Sequence, residues 1–189
     1  MRRILFTFTL LATAFLGARA QYASDGYIDS HDEDWLHRGY RGNVCIGGGP
    51  QFVHHGSTFI NAYTSHGFQF NEWAYVGGGI GVDHISNYET STSFILFANP
   101  VLNLPLDSRF SPFVDLQIGG KFDDDSGLYF SASAGCRYAV NGSWGINFSI
   151  GVTLHTNQYW DYSNYYDAYR NIYENPYALV FRIGVDLNL

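Results

Sequence analysis

The strongest constraint on the fold of this chain is the alternation of its last eleven residues. In the stretch 179–189, one set of positions is uniformly apolar and the other is mostly polar or small. The apolar set comprises Leu179, Phe181, Ile183, Val185, Leu187 and Leu189, and the other set includes Arg182, Gly184, Asp186 and Asn188. Because successive side chains of a strand point to opposite faces, this stretch predicts a strand with one apolar face and one polar face. The same two-residue period recurs upstream, which predicts a transmembrane β-barrel with a polar interior and a lipid-facing exterior.

The segment before the barrel has the features of an export signal followed by a leader. Two arginines precede an apolar run over 4–16, and Ala18-Arg19-Ala20 has the small-x-small pattern of a cleavage site. These features predict a signal peptide over 1–20, cleaved after its last alanine. Residues 21–38 are acidic and polar, and we expect them to form a flexible periplasmic leader. The barrel itself is predicted over 39–189.

The charge balance of the chain bears on one class of partner, nucleic acid. The chain has 10 basic and 17 acidic residues, and the signal peptide holds basic residues but no acidic ones. The acidic remainder excludes nucleic acid as a partner, because binding requires basic side chains that neutralise phosphates.

No spacing of His, Cys, Asp or Glu fixes a metal geometry, so we expect neither a metal nor a cofactor. No apolar stretch reaches about 20 residues, which excludes helical membrane spans.

Eight strand-like stretches with turn signals between them follow the leader. They are predicted near 40–53, 58–69, 73–85, 93–104, 112–122, 128–140, 144–155 and 177–189. The predicted class is all-β, an eight-stranded antiparallel transmembrane β-barrel with an up-and-down meander, and we expect a monomer. The connections after the second, fourth and sixth stretches are short, as periplasmic turns are, so we expect both termini in the periplasm. Aromatic girdles are predicted from Trp73, Phe110 and Trp144 at the inner rim and from Tyr129 and Tyr177 at the outer rim.

Several segments resemble a known family. Gly39-Tyr40-Arg41-Gly42, the stretches 66–71 and 76–81, Ser111-Pro112-Phe113-Val114 and the apolar finish resemble the small outer-membrane β-barrel domain family of Gram-negative bacteria. The architecture is similar to that of OmpA/OmpX-type barrels. This resemblance implies a location in the outer membrane. It carries over no active-site residue, because the family has no shared catalytic motif.

Six charged residues are predicted to face the barrel interior. They are Asp83, Asp115, Lys121, Arg137, Arg182 and Asp186. An eight-stranded barrel is just wide enough for side chains to fill it, so we expect a paired, hydrogen-bonded network that plugs the interior. The alternative is a narrow path for ions or protons. The equal numbers of positive and negative residues in this set argue against a strongly selective pore.

The connection 156–176 is the main candidate for partner contact. It contains Tyr159, Trp160, Tyr162, Tyr165, Tyr166, Tyr169 and Tyr173, together with acids and amides. Amphipathic rings beside such groups are typical of surfaces that bind an extracellular protein or a glycan. The alternative is a loop that packs its own aromatic residues over the barrel mouth. The spacing of Tyr162, Tyr166, Tyr169 and Tyr173 also allows a short helix.

The sequence favours a non-enzymatic integral outer-membrane protein that acts in surface interaction or envelope structure, with membrane lipid around it. A Ser-His-Asp site at the outer rim from His54, Ser57 and His155 lacks a nucleophile motif. Cys45 and Cys136 fall on strands that are not neighbours, so we expect two buried free thiols. A narrow passive channel is the alternative function. A soluble ligand-binding barrel ranks lower, because it requires an apolar interior.

Overall fold

The computed structural model describes residues 36–52, 58–86, 91–104, 109–122, 126–155, 157–163, 168–174 and 177–189. These residues form ten β-strands: β1 (Gly39–Pro50), β2 (Thr58–Gln69), β3 (Ala74–Ser86), β4 (Ser91–Asn103), β5 (Phe110–Phe122), β6 (Gly127–Ala139), β7 (Trp144–His155), β8 (Asn157–Ser163), β9 (Ala168–Glu174) and β10 (Tyr177–Asn188). Within the described ranges, no helix is long and apolar enough to cross a membrane.

Eight of these strands close into one antiparallel barrel. Each strand from β1 to β6 pairs with the next strand in the chain, and β10 closes the barrel by pairing with both β7 and β1. Strands β8 and β9 form a separate two-stranded sheet within the connection between β7 and β10. The predicted eight-stranded meander is therefore confirmed, and the ends of its strands fall within about three residues of their predicted positions.

The burial of side chains alternates along the barrel strands. Odd-numbered residues of β1 to β7 and even-numbered residues of β10 face the interior. Large apolar side chains on the opposite face are exposed on every barrel strand, including Val44, Ile60, Ile80, Leu96, Ile118, Leu128, Phe148 and Ile183. This outer surface is the lipid-facing belt of a transmembrane barrel, because exposed apolar area of this extent is stable against hydrocarbon but not against water.

Short turns connect the strands at one end of the barrel, here called the turn end; the opposite end is the loop end. In the turn between β2 and β3, the Asn71 side-chain oxygen accepts hydrogen bonds from the backbone amides of Trp73 and Ala74. Asn141 makes the equivalent bonds to Ser143 and Trp144 between β6 and β7. An asparagine side chain that accepts a hydrogen bond from the backbone amide two residues later stabilises a tight turn. Both chain-terminal strand ends, the start of β1 and the finish of β10, lie at this turn end.

Two details differ from the sequence predictions. Tyr129 does not belong to the outer girdle: it is buried inside the barrel, where its hydroxyl donates to Gln117 Oε1 at 2.8 Å. Its sequence neighbours Leu128 and Phe130 are exposed on the outer face, so the alternation of the strand points the Tyr129 side chain into the barrel. Trp73, Phe110 and Tyr177 are exposed as predicted. Both cysteines are free, as expected, although Cys136 lies on the outer face and is only partly buried.

The glycines of β3 make room for interior aromatic rings. A Cβ atom at Gly79 would collide with the Phe97 ring of the neighbouring strand β4 and with the backbone oxygen of Thr64. Phe97 in turn packs with Tyr63 and Tyr129, at ring-centroid distances of 5.5 and 5.9 Å. The narrow barrel therefore accommodates a central aromatic cluster because its wall lacks side chains at this point.

Candidate functional site

The interior of the barrel holds a hydrogen-bonded network centred on Asp186. Its Oδ1 accepts from Arg41 Nη2 at 3.1 Å and from Asn43 Nδ2 at 3.0 Å. Its Oδ2 accepts from Arg137 Nε at 2.8 Å and from Asn147 Nδ2 at 2.7 Å. The carboxylate is fully buried, as are the two arginines. A carboxylate with partners on both oxygens is stable in such a site because each lone pair removed from water gains a donor.

The two arginines extend this network to neighbouring strands. Arg41 Nη1 donates to Gln69 at 2.9 Å, and Arg137 Nη1 donates to Asn103 at 2.8 Å. Both guanidinium groups also stack on aromatic rings, those of Tyr75 and Phe113, with centroid distances of 4.8 and 4.7 Å. Cation–π contacts of this kind strengthen when water is excluded. The hydrogen bonds of the network therefore tie β1, β2, β4, β6, β7 and β10 together at the turn end of the barrel.

Arg182, Asp83 and Lys121 lie nearer the loop end. Arg182 Nη2 donates to Ser131 at 2.7 Å and to Thr153 at 3.1 Å. The charge of Asp83 interacts with those of Arg182 and Lys121. Asp115 accepts a hydrogen bond at 3.1 Å from Asn99. All six predicted interior charges are thus buried inside the barrel, and Asp115 lines the same cavity as Arg41 and Arg137 of the Asp186 network.

Sequence reasoning missed one member of this site. Arg41 is a seventh interior charge, and it makes the described interior set four positive residues against three negative ones. The alternation that would have placed it is weak in β1, where glycines occupy positions on both faces. The sequence did carry one indication: Arg41 has an odd number in β1, as does Cys45, which also faces inward. The argument against a selective pore assumed equal numbers of positive and negative interior residues, and this count is wrong because it omits Arg41.

Apolar layers accompany the charged groups inside the barrel. Phe59, Ile85, Ala178 and Val180 form a buried cluster at the loop end, above Arg182. A cavity of about 10 Å³ lies near the Asp186 network, lined by Tyr63, Asn99 and Asp115 among others. This volume corresponds to about one water molecule. An ion path through the described interior would require these packed layers to move.

The connection between β7 and β10 contains two paired strands, so the described residues do not form the short helix that the tyrosine spacing also allowed. Strands β8 and β9 pair from Asn157↔Glu174 to Ser163↔Ala168. In this register, Trp160 lies opposite Asn171, and Tyr162 lies opposite Tyr169. Tyr159 and Tyr173 are also in the hairpin strands, whereas Tyr165 and Tyr166 lie outside the described residues. Aromatic residues are so dense in this connection that some of them fall at the 3–4-residue spacing of a helix even though the backbone forms strands.

The rim site considered above cannot be assembled from the described residues. His54 and Ser57 lie outside them, and the structure describes the backbone of His155 but not its side chain. Among the described residues, no group of three or more His, Cys, Asp or Glu side chains could hold a metal ion.

The fold and its polar, plugged interior define the class of small eight-stranded transmembrane β-barrels. No family model and no curated protein matches the sequence. Among solved structures, Neisserial surface protein A (NspA) is similar with a TM-score of 0.55 and 11% identity, over 79% of this chain and 97% of that chain. The outer membrane protein OprG from Pseudomonas aeruginosa gives a TM-score of 0.47 at 11% identity, over 81% of this chain and 97% of that chain. At this identity, the likeness to NspA establishes the shared fold.

Proposed function

We propose that the protein is an integral outer-membrane protein, exported by a signal peptide and non-enzymatic, that acts as an anchor for a surface contact element. The contact element is the β8–β9 hairpin, residues 157–174, and its partner is an extracellular protein or a glycan. The likeness to NspA, which is named as a surface protein, supports the location. The longest connection, between β7 and β10, lies at the end of the barrel opposite to the start of β1 and the finish of β10, which supports an orientation with both termini in the periplasm and the hairpin outside.

The observation that carries this proposal is the contrast between the barrel interior and the hairpin. Charged and aromatic side chains fill the interior, and the Asp186 network fixes them in place. Such an interior serves stability rather than transport. The longest connection, in contrast, is folded into an aromatic-rich two-stranded sheet of its own. Tyrosine and tryptophan combine large contact area with few rotatable bonds, which favours binding surfaces.

Deletion of residues 158–174 tests the proposal without disturbing the barrel. Leu154 of β7 pairs with Tyr177 of β10, so the five residues left between them, His155 to Asn157 with Asn175 and Pro176, are enough for a hairpin loop. A length-matched variant replaces the seven aromatic residues of the connection by serine. Both variants and the wild type are displayed on whole cells and assayed against a glycan array and an array of soluble extracellular proteins.

The proposal predicts binding by the wild type to at least one probe and loss of this signal, by about tenfold or more, in both variants. All three proteins must show the shift in gel mobility on boiling that a closed barrel gives. Equal binding by wild type and deletion variant, or no binding by the wild type on either array, would contradict the proposal.

A further inference from the structure

The residues just before β1 contact other strands at the opening of the barrel at the turn end, here called the mouth. Leu36 is 4% exposed and packs with Ala139, the interior-facing last residue of β6. At the finish of β10, Asn188 Nδ2 donates to His37 Nδ1 at 3.4 Å. Residues 36–38 are called the lid from here on. Its contacts join the start of β1 to the ends of two other strands.

The lid extends over the mouth instead of following its rim. It leads into β1 at Gly39, whereas Leu36 contacts β6, and β10 and β7 stand between these two strands in the barrel. The path along the rim from β1 to β6 covers three strand spacings of about 4.8 Å, roughly 14 Å in all. The three residues from Leu36 to Gly39 span at most about 11 Å. Leu36 therefore takes the shorter route, over the opening.

Interior-facing residues at the ends of the strands are buried at this mouth. Gln69 ends β2 and Asn103 ends β4, and both are at most 3% exposed. Ala139 and Asn188 are also buried. Polar side chains at the open end of a barrel would contact water, so the burial of these amides indicates that the mouth is closed.

Two of these residues belong to the Asp186 network. Gln69 accepts from Arg41 Nη1 at 2.9 Å, and Asn103 accepts from Arg137 Nη1 at 2.8 Å. Both arginines also contact the Asp186 carboxylate. The lid therefore lies between this network and the water at the turn end. Water that entered the mouth would compete for the arginine donors and raise the local dielectric, which weakens the ion pairs.

The lid is held less firmly than the strand that follows it. Its described contacts include the apolar packing of Leu36 and the 3.4 Å hydrogen bond of His37. The guanidinium of Arg38 also lies 5.9 Å from the centroid of the Phe68 ring. Strand β1, in contrast, pairs with β2 and β10 over most of its length. A segment with few buried contacts can open locally while the rest of the structure remains folded.

We propose that residues 36–38 act as a lid that closes the turn end of the barrel over the Asp186 network and opens while the barrel stays intact. In the closed state, Leu36 lies on Ala139 and excludes water from the mouth. In the open state, water reaches the amides of Gln69 and Asn103 and, through them, the two arginines. The lid thereby controls the hydration of the network without any change in strand pairing.

Labelling of a cysteine beneath the lid tests this proposal in the folded protein in detergent. The parent protein carries Ala139→Cys and Cys136→Ser, so that buried Cys45 is an internal reference for unfolding. The lid variant adds Leu36→Ser, and the matched control adds Leu104→Ser, at an exposed leucine directly after β4 at the same end. The probe is the charged thiol reagent 2-(trimethylammonium)ethyl methanethiosulfonate, and peptide mass mapping follows each site over time.

A variant with Gly142→Cys in place of Ala139→Cys gives the rate for an open turn position. In the parent and the Leu104→Ser control, the thiol at position 139 should react at least about tenfold more slowly than the thiol at position 142. Leu36→Ser should raise the rate at position 139 about tenfold, because the lid loses its apolar anchor, and Leu36→Ala should give an intermediate rate. Cys45 should stay unlabelled in every variant.

Three outcomes would overturn the proposal. Equal rates at position 139 in the parent and in Leu36→Ser would show that Leu36 does not cover the mouth. A parent rate as fast as that at position 142 would show an open mouth. A parent rate at position 139 no faster than that of Cys45 would show that the mouth opens only when the barrel unfolds. A gel-mobility shift on boiling shows that each variant is folded.

Discussion

The substitution Asp186→Asn removes the negative centre of the interior network while nearly preserving its shape. Arg41 and Arg137 then lie buried without the carboxylate that both contact, at 3.1 and 2.8 Å in the native protein. Removal of one partner from a buried ion pair costs about 3–5 kcal/mol, because the remaining charge cannot regain its hydration. We therefore expect the free energy of unfolding to fall by about 3–5 kcal/mol.

A second substitution in the same network, Arg137→Met, should cost less than Asp186→Asn. Arg137→Met leaves Asp186 paired with Arg41 and hydrogen-bonded to Asn147, so the carboxylate keeps donors on both oxygens. The loss is then a charge-assisted hydrogen bond and a cation–π contact, about 1.5–3 kcal/mol. Glu72→Gln is the matched control for Asp186→Asn, because it removes the same negative charge at an exposed turn residue, and it should cost no more than about 0.5 kcal/mol.

The assay is reversible urea unfolding of the protein in lipid vesicles, followed by tryptophan fluorescence. With a denaturant slope of about 2 kcal/mol per M, Asp186→Asn should lower the urea midpoint by about 2 M and Arg137→Met by about 1 M. A midpoint for Asp186→Asn within about 0.3 M of that for Glu72→Gln would refute the assignment of Asp186 as the centre of the network.

Three further predictions concern the interior and the wall. Planar bilayers with the wild-type protein should show no single-channel conductance, because packed layers fill the barrel; stable unitary currents would contradict this packing. N-ethylmaleimide should label Cys136 but not Cys45 in the folded protein and both after denaturation, as measured by intact mass; equal labelling in the folded state would contradict their opposite faces. Gly79→Val should prevent the folded gel band from forming, because its side chain would displace the Phe97 ring, whereas Gly142→Val, at an open turn position, should leave that band intact.

The barrel could be predicted from the sequence because each lipid-crossing strand must alternate. Strand β10 shows this best, since every interior position from Val180 to Asn188 is buried as its pattern indicates. The fourth strand shows the limit, because Phe94, Ile95, Leu96 and Phe97 are apolar on both faces. Its register depends on packing: Ile95 and Phe97 join the central aromatic cluster, while Phe94 and Leu96 face lipid.

The interior charges could be predicted only as a set, not as a network. Sequence alternation places Asp186 and Arg137 inside the barrel, but the contact between them depends on the stagger of strands that are distant in sequence. Arg41 escaped prediction because glycines weaken the alternation of β1. The hydrogen bond between Tyr40 and His66 on the outer wall also escaped prediction, because the two residues meet across two strands and no local motif marks the pair.

The central claim, a closed transmembrane barrel, is tested most directly by gel mobility of the detergent-folded protein with and without boiling. A closed barrel should migrate faster when unboiled and shift to the position of the unfolded chain on heating. A single band that does not shift, from protein that stays in solution without detergent, would contradict the account. The apolar face that includes Ile80, Ile118 and Ile183 would then have to be buried against something other than lipid.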